Sequence, residues 1–322
     1  MTEKLKEGVM PEQRYILGKR RNKYSRKREL KDTLIGWLFS GWPLLGYILF
    51  SIIPFILSVV LSFSELHSFD LSERIFVGYH NFRWIFTEKM FWQALGNTLY
   101  FSLKVPLNIC LSLFCAVLLT KGMKGTKTYR TILYIPNVCS VVAVTMMWRM
   151  IFHKDYGVVN TILGYFGVSS VDFFGTKSLF MPTVIFTTLW GAGAGSIMFQ
   201  AALEQVNVSL KEAAMLDGAS SRQIFFRIIL PVISPTTFYV LVTQLIGAFQ
   251  VFDVVQMFAD GGPGPENAAV TSVYMIYRMY KVEMLRYGLG MASACAWMLA
   301  LIIAGITIAI FKTSKYWVFY DD

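Results

Sequence analysis

Residues 208–231 read VSLKEAAMLDGASSRQIFFRIILP, which predicts a short helix, a sharp turn and a returning helix. Ser209 and Glu212 stand three residues apart, as in a capping box, where the hydroxyl and the carboxylate each accept a hydrogen bond from a free backbone amide. Gly218 marks the expected end of the first helix, because glycine most easily adopts the left-handed conformation of a C-terminal cap. The returning helix is apolar and is expected to end at Pro231.

The composition is that of a membrane protein. Of the 322 residues, 55% are hydrophobic and 16% are charged, and the mean hydropathy is +0.51, too apolar for an ordinary soluble domain. A transmembrane helix needs about 20 predominantly apolar residues, and six stretches approach or exceed that length. We therefore predict an all-α membrane protein with six transmembrane helices. The stretches are 34–63, 91–120, 131–148, 179–203, 232–256 and 287–311.

Lysine and arginine are distributed unevenly between the loops, and cytoplasmic loops carry the excess. With the amino terminus inside, the segments on that side hold 11, 4, 3 and 2 of these residues, whereas the opposite loops hold 3, 2 and 3. Both termini are therefore predicted to be cytoplasmic. The 208–231 stretch lies between spans four and five, so it is expected on the same side.

The domain organisation follows from these spans. We predict a basic cytoplasmic tail at 1–33 and a six-span domain at 34–322, with its core at about 91–311 and a loop at 204–231. The basic residues directly before the first span fix its orientation and contact anionic lipid head groups. The net charge of +10 comes without any nucleic-acid recognition motif, so no nucleic-acid partner is predicted.

The 208–231 stretch resembles the EAA loop of permease subunits of binding-protein-dependent ABC importers. The matching landmarks are Glu212-Ala213-Ala214, Asp217-Gly218-Ala219, Ile228 and Leu230-Pro231. The resemblance implies a coupling helix that docks into a groove of a separate ATPase subunit. The residues that it assigns to ATPase coupling are Glu212, Ala213, Ala214, Asp217 and Gly218. The alternative interpretation is a capped amphipathic surface loop, which accounts for the capping and periodicity alone.

Two further elements are similar to the carbohydrate branch of these permeases, which includes the maltose permease pair. Asp260-Gly261-Gly262-Pro263 is similar to its G-G-P loop, and Gly290-Met291-Ala292-Ser293-Ala294 is close to G-Y-A-S-A. The usual threonine before the G-G-P element is missing, and Met291 replaces a tyrosine. The resemblance covers nearly the whole chain from about Leu34.

The resemblance implies that the chain is a non-catalytic permease subunit for a sugar or oligosaccharide. It also implies a multi-pass protein of a prokaryotic cell (inner) membrane. The implied partners are membrane lipid, a second homologous permease that forms the other half of the path, two ATPase subunits and an extracytoplasmic solute-binding protein. No GxxxxGK[ST] phosphate-binding loop occurs in the sequence, so ATP and Mg²⁺ are expected in the partner ATPase. We predict no cofactor, metal or catalytic residue for this chain.

The alternatives are a permease for a sugar phosphate or other polar small molecule, an ion-coupled secondary transporter, and an intramembrane transferase. A transferase needs a convergent acid, base or metal set, but His67, His80 and His153 lie outside the predicted spans. A secondary transporter calls for inverted repeats or charges at mid-membrane, and neither is clear.

Four residues are candidates for contact with the substrate. On span five, Thr243 and Gln250 lie within about 60° of each other at 100° per residue, in a polar stripe that faces either the partner subunit or the translocation path. Gln244 on the same span is the third candidate. Asn137, beside Pro136, is the fourth and is expected to be a buried polar group that needs a partner.

Lys104 is the one charge that falls inside a predicted span. Charged residues within a span usually have a function, so Lys104 is a candidate for a role in the substrate path. The alternative is that its ammonium group reaches the interface, since the 16 residues between it and Lys121 cover about 24 Å of helix. On span four, the small residues of 191–196 predict close helix packing in preference to ligand contact.

Overall fold

The computed structural model describes residues 11–120 and 125–319, with side chains at residue 28 and from residue 30 onward within these ranges. The first ten residues of the predicted tail, and two lysines counted with the second cytoplasmic segment, Lys121 and Lys124, lie outside this part. The chain divides into two compact units, Met1–Val60 and Leu61–Asp322.

Helices make up most of the described chain. The α-helices are α1 (Pro11–Tyr47), α2 (Ile53–Ser62), α3 (His80–Thr87), α4 (Lys89–Ser102), α5 (Lys104–Thr120), α6 (Thr126–Val138), α7 (Val141–Ile151), α8 (Val158–Tyr165), α9 (Lys177–Leu189), α10 (Gly193–Gln205), α11 (Val208–Leu216), α12 (Ser221–Ile224), α13 (Leu230–Val232), α14 (Ser234–Phe249), α15 (Asp253–Phe258), α16 (Ser272–Lys281) and α17 (Met284–Ser314). Short 3₁₀ helices occupy Leu71–Glu73, Trp190–Ala192 and Pro265–Asn267, and π-helices occupy Ile48–Ile52 and Phe225–Ile229. The strands β1 (Ser64–Glu65) and β2 (Ile75–Phe76) form an antiparallel pair.

Four helical segments are long and apolar enough to cross a membrane. They are Leu30–Ser62, Lys89–Thr120, Lys177–Gln205 and Met284–Ser314. Two bent pairs also qualify when each is counted as one span, namely Thr126–Val138 with Val141–Ile151 and Ser221–Val232 with Ser234–Phe249. The described residues therefore contain four to six candidate spans.

The third and fifth predicted spans are not single straight helices. The third bends by 100° between α6 and α7, where Cys139 leaves helical geometry with φ −70° and ψ 146°, three residues after Pro136 in the last turn of α6. The fifth bends by 65° before α14, because Pro235 cannot donate to the carbonyl of Pro231. The returning helix also continues past Pro231 to Val232, one residue beyond its expected end.

Prolines also explain the two π-helices. Each ends two residues before a proline, Ile48–Ile52 before Pro54 and Phe225–Ile229 before Pro231. A proline leaves a carbonyl in the preceding turn without its donor, and a wider i→i+5 turn adjusts the backbone there. By contrast, Pro43 lies inside α1, where helical geometry continues to Tyr47.

Residues 61–319 contain three buried apolar clusters, and each of them includes at least one residue of α4 or α5. Phe101 belongs to a cluster with residues of α9, α14 and α15. Ala94 belongs to a cluster with residues of α3, α16 and α17. Ala116 packs with residues of α10 and α14. We call the 32-residue helical segment Lys89–Thr120 the central rod, because it passes through all three clusters.

Two glycines mark places where backbones approach closely. A Cβ atom added at Gly193 would lie far closer to the carbonyl oxygen of Leu133 in α6 than the 3.0 Å that real Cβ atoms keep. One at Gly290 would meet the carbonyl oxygen of Ser64 in the same way. The predicted close packing of the small residues at 191–196 is thus confirmed at Gly193.

The hairpin β1–β2 is tied to the segment after it by Asn81. The buried side-chain amide of Asn81 donates to the carbonyl oxygens of Ser62 at 3.0 Å and Ser64 at 2.9 Å. Nearby, His67 Nε2 lies 2.9 Å from Glu65 Oε1, and this hydrogen bond raises the pKa of the imidazole. These contacts fix the chain that precedes the central rod.

Candidate functional site

A cavity of about 470 Å³ lies where two interruptions of helix come together. One is the bend between α6 and α7, and the other is the 3₁₀ turn Trp190–Ala192 between α9 and α10. The described residues that line it are Lys104, Asn108, Pro136, Asn137, Cys139, Val141, Val144, Thr145, Trp148, Thr187, Thr188, Trp190, Gly191, Ala194, Gly195, Gln244, Gly247, Ala248, Val254 and Phe258. Its size is within the range of small-molecule sites, about 300–1,000 Å³.

A polar network fixes one side of this cavity. Gln244 Nε2 donates to Asn108 Oδ1 at 3.3 Å, and the hydroxyl of Ser112 lies 3.2 Å from the same oxygen. Ser112 is fully buried and also lies 2.8 Å from the carbonyl oxygen of Ala192, in the 3₁₀ turn. The network therefore connects α14, α5 and the break between α9 and α10, and it orients two amide side chains at the cavity wall.

Asn137 lines the cavity but is exposed, so the expectation of a buried side chain was wrong. The reason is the bend that follows α6, which leaves the end of this helix beside open space. The side-chain amide of Asn137 is best assigned with its nitrogen toward Gly191 and its oxygen toward Ala194. In that orientation it donates to Gly191 O at 3.2 Å and accepts from Ala194 N at 3.3 Å. The partner that the sequence called for is therefore the backbone of the second break.

The other three candidates do not all reach the cavity. Gln244 lines it, whereas Thr243 and Gln250 are not among its lining residues. Thr243 donates its hydroxyl to the carbonyl of Tyr239 at 2.8 Å, and Gln250 follows the last residue of α14. The stripe was projected on one helix through residue 256, but α14 ends at Phe249. The role of all four residues in substrate contact stays a prediction.

Several lining residues were not among the candidates. Asn108 is the most informative, because Lys104, Asn108 and Ser112 recur every four residues on α5 and thus share one face of the helix. A search for polar residues at helical spacing could have found this face. The sequence contains no comparable pattern for four other lining residues, because apolar spans commonly contain single threonines and tryptophans. These residues are Thr145, Thr187, Trp148 and Trp190.

Ion pairs hold the segment after α15 beside the cavity. Arg149 follows the lining residue Trp148 and binds both carboxylate oxygens of Asp260, with Nη2 2.6 Å from Oδ2. Lys177 Nζ forms a second ion pair, 2.9 Å from Glu266 Oε2. The G-G-P segment is thus attached to the end of α7 and the start of α9.

The substitution Asp260→Asn is expected to lower the free energy of unfolding by about 1 kcal/mol or less. The side chains of Arg149 and Asp260 are 37% and 71% exposed, so water competes with the pair, while asparagine still tolerates the positive φ of 53°. Thermal unfolding of this variant, of Arg149→Gln and of the double variant measures the coupling. Strictly additive effects, or a coupling unchanged by salt, would contradict a working ion pair.

The amino-terminal cap of α11 differs from the predicted capping box. The helix begins at Val208, and the side-chain Oδ1 of Asn207 accepts from Ser209 N at 3.0 Å. Asn207 is therefore the N-cap, so Ser209 lies inside the first turn and cannot act as the cap. A capping box does occur further on, between Ser220 and Gln223 at the start of α12.

The carboxyl-terminal cap of α11 confirms the prediction made for Gly218. This residue has φ +81°, and its amide donates to Met215 O at 3.1 Å, while Ala219 N donates to Ala214 O at 2.9 Å. These two bonds form a Schellman motif, which satisfies the last carbonyls of the helix. The turn between α11 and α12 therefore depends on the left-handed conformation of one residue.

Most of the surface of α11 is exposed within the described chain. None of its residues is buried, and Leu216 and Met215 are 89% and 61% exposed. Of the residues proposed for coupling, Glu212, Ala213, Asp217 and Gly218 are exposed and Ala214 is half-buried. A nine-residue helix that is capped at both ends and buries no apolar side chain has the properties of a docking element.

Comparison with known families identifies the chain. Residues 108–313 match the sequence model of the family described as binding-protein-dependent transport system inner membrane component. The chain belongs to this family. The match begins at the cavity residue Asn108, includes α11 and ends within α17. The family is that of ABC transporter permease subunits, which are not catalytic, and its members are multi-pass proteins of the inner membrane.

Relatives of this inner membrane component cover nearly its whole length. It is 36% identical to "Probable ABC transporter permease protein YesP" of Bacillus subtilis (strain 168), over 91% of this chain and 94% of the relative. It is 28% identical to the trehalose/maltose transport system permease protein MalF of Thermococcus litoralis, over 92% and 98% of the two chains.

Among solved structures, the inner membrane component is similar to a chain of a bacterial ABC transporter involved in the import of the acidic polysaccharide alginate. The TM-score is 0.77 with 27% sequence identity, and the match covers 90% of this chain and 99% of the other. The fold around the cavity is therefore that of an ABC permease.

Proposed function

We propose that the chain is the permease subunit of an ATP-driven importer for a sugar or oligosaccharide and that it forms one half of the translocation path. It crosses the membrane six times, with both bent pairs as broken spans. Both termini and α11 lie on the cytoplasmic side. Its partners are a second homologous permease, two ATPase subunits that use ATP and Mg²⁺, and an extracytoplasmic solute-binding protein.

The observation that carries this proposal is the position of the cavity at two breaks in apolar helices. Non-helical backbone at membrane depth is tolerated only where protein buries it or where it lines a water-filled cavity. In transporters, interrupted helices often form the binding site near the middle of the membrane. The cavity at Asn137 and Trp190–Ala192 fits that arrangement, with polar amides on its wall.

The names of the relatives support a saccharide as the transported solute. One relative serves trehalose and maltose, which are neutral sugars, and the structural neighbour belongs to a transporter for an acidic polysaccharide. Further relatives are named for the transport of lactose and arabinooligosaccharides. A saccharide path agrees with a cavity that combines amide, hydroxyl and tryptophan side chains.

The exposed helix α11 supports coupling to a separate ATPase. None of its residues is buried within the described chain, and Glu212 and the paired alanines Ala213 and Ala214 leave room for another surface. We assign Glu212 to a charged contact at the rim of the ATPase groove and the alanines to the close fit. Closure of the ATPase subunits would then move α11, and the turn at Gly218 would pass that movement to α12 and α14.

The test is purification of the tagged chain in mild detergent, followed by mass spectrometry of the proteins that accompany it. We expect a second permease and an ATPase with the wild type, and at least about tenfold less ATPase with Glu212→Lys. Glu73→Lys is the matched control, since it reverses an equally exposed carboxylate outside α11 and is expected to retain the ATPase. A chain that purifies alone and still transports solute would overturn the proposal.

A further inference from the structure

Lys104 stands as an isolated charge in the wall of the cavity. It is the first residue of α5, at the middle of the central rod, and the other described lining residues include no aspartate or glutamate. None of the ion pairs between described residues involves Lys104. A cation inside a membrane span is costly unless it is paired or faces water, so this position requires an explanation.

The contact of Lys104 within the described chain is with an aromatic ring. Its Nζ lies 4.5 Å from the ring centroid of Phe101, a side chain that is fully buried. This cation–π contact positions the ammonium group but accepts none of its three N–H hydrogens in a conventional hydrogen bond. The donors of Lys104 are therefore available to a ligand in the cavity.

Two tryptophans in the wall of the cavity offer a surface for a sugar ring. Trp148 and Trp190 meet edge to face, with ring centroids 5.8 Å apart, and both line the cavity. The C–H faces of pyranose rings pack against indole rings, while the hydroxyl groups bond to amides such as those of Asn108 and Gln244.

We propose that the cavity selects an anionic saccharide, with its carboxylate or phosphate group against Lys104 and a sugar ring against Trp148 and Trp190. This inference rests on the proposed function, because it assigns the substrate class of the same path. An ammonium group in a wall without carboxylates favours an anion over a neutral sugar of equal size. A lysine that only reached toward the interface would give no such preference.

The test measures ligand binding to the purified permease complex by quenching of tryptophan fluorescence, without ATP turnover. The probes are digalacturonate, its neutral dimethyl ester, and lactose phosphate with lactose as its neutral counterpart. We expect at least one anionic probe to bind about tenfold more tightly than its neutral counterpart. Preference for digalacturonate indicates a uronate, and preference for lactose phosphate indicates a sugar phosphate.

Substitutions then locate the preference. Lys104→Met is expected to reduce the ratio of anionic to neutral probe affinity to about onefold to twofold. Lys104→Arg keeps the charge and should retain the preference for the anionic probe. Lys177→Met removes a cation that pairs with Glu266 outside the cavity and is the matched control. Equal binding of both anionic probes and their neutral counterparts by the wild type, no binding of any anionic probe, or a preference that survives in Lys104→Met would overturn the inference.

This result is separable from the proposed function. Copurification of the ATPase tests the permease assignment, and it does not depend on the charge of the ligand. A complex that retains its ATPase but binds only the neutral probes would leave the importer assignment intact and refute the anionic substrate.

Discussion

The substitution Gly193→Ala is expected to destabilise the protein severely, and we expect little folded protein after extraction into detergent. The added Cβ would collide with the carbonyl oxygen and carbonyl carbon of Leu133, so α10 and α6 would have to separate. Overpacking of a well-packed site typically costs about 1–3 kcal/mol. A clash with rigid backbone should reach the upper end of that range or exceed it, because no side chain can rotate to relieve it.

The matched control is Gly191→Ala, two residues earlier in the same small-residue stretch. A Cβ there lies 3.8 Å from Asn137 Oδ1, an ordinary van der Waals contact. Size-exclusion chromatography and thermal unfolding in detergent compare the two variants. Equal melting temperatures for Gly193→Ala and the wild type would show that the two backbones are not in close contact.

The second large effect is expected on transport. Gly218→Val should reduce uptake at least about tenfold while the protein still inserts and folds. A left-handed conformation costs an L-residue about 1–2 kcal/mol, more for a β-branched side chain, so valine disfavours the turn between α11 and α12. The position has no heavy atom within 4 Å of an added Cβ, so packing elsewhere is unaffected. This prediction rests on the proposed coupling role of α11.

Gly218→Asn is the control for this prediction, since asparagine adopts the left-handed conformation more readily than other residues with a side chain. It should keep most of the uptake at the same expression level. Both variants are measured by uptake of labelled substrate in cells and by the amount of inserted protein. Normal uptake in Gly218→Val would refute the role of this turn in coupling.

The ends of α11 show what a sequence can predict about a helix. Gly218 was assigned correctly because one residue type strongly prefers a left-handed cap. The amino-terminal end was misassigned because Asn207 and Ser209 both carry side chains that can cap, and spacing alone favoured Ser209 with Glu212. The choice between two competent caps depends on the conformation of the preceding backbone, which the sequence does not reveal.

The cavity was harder to predict than the helices around it. Hydropathy reports how much apolar chain is available, and the spans at 91–120, 179–203 and 287–311 agree closely with apolar helical segments. It does not report continuity, so the break after Val138 was missed although Pro136 was recognised. Adjacent residues of a helix point about 100° apart, and which of Thr243 and Gln244 faces the cavity is decided by what packs beside α14.

The central rod has a mechanical consequence. Because Lys89–Thr120 shares packing with all three apolar clusters, it cannot turn or slide alone without opening each of them. Large movements in the 61–319 unit should therefore concentrate at the joint between α6 and α7, because α6 has no buried residue and α7 buries Thr145 alone among its residues. The central rod would then stay in place while the cavity residues of α6 and α7 move relative to it.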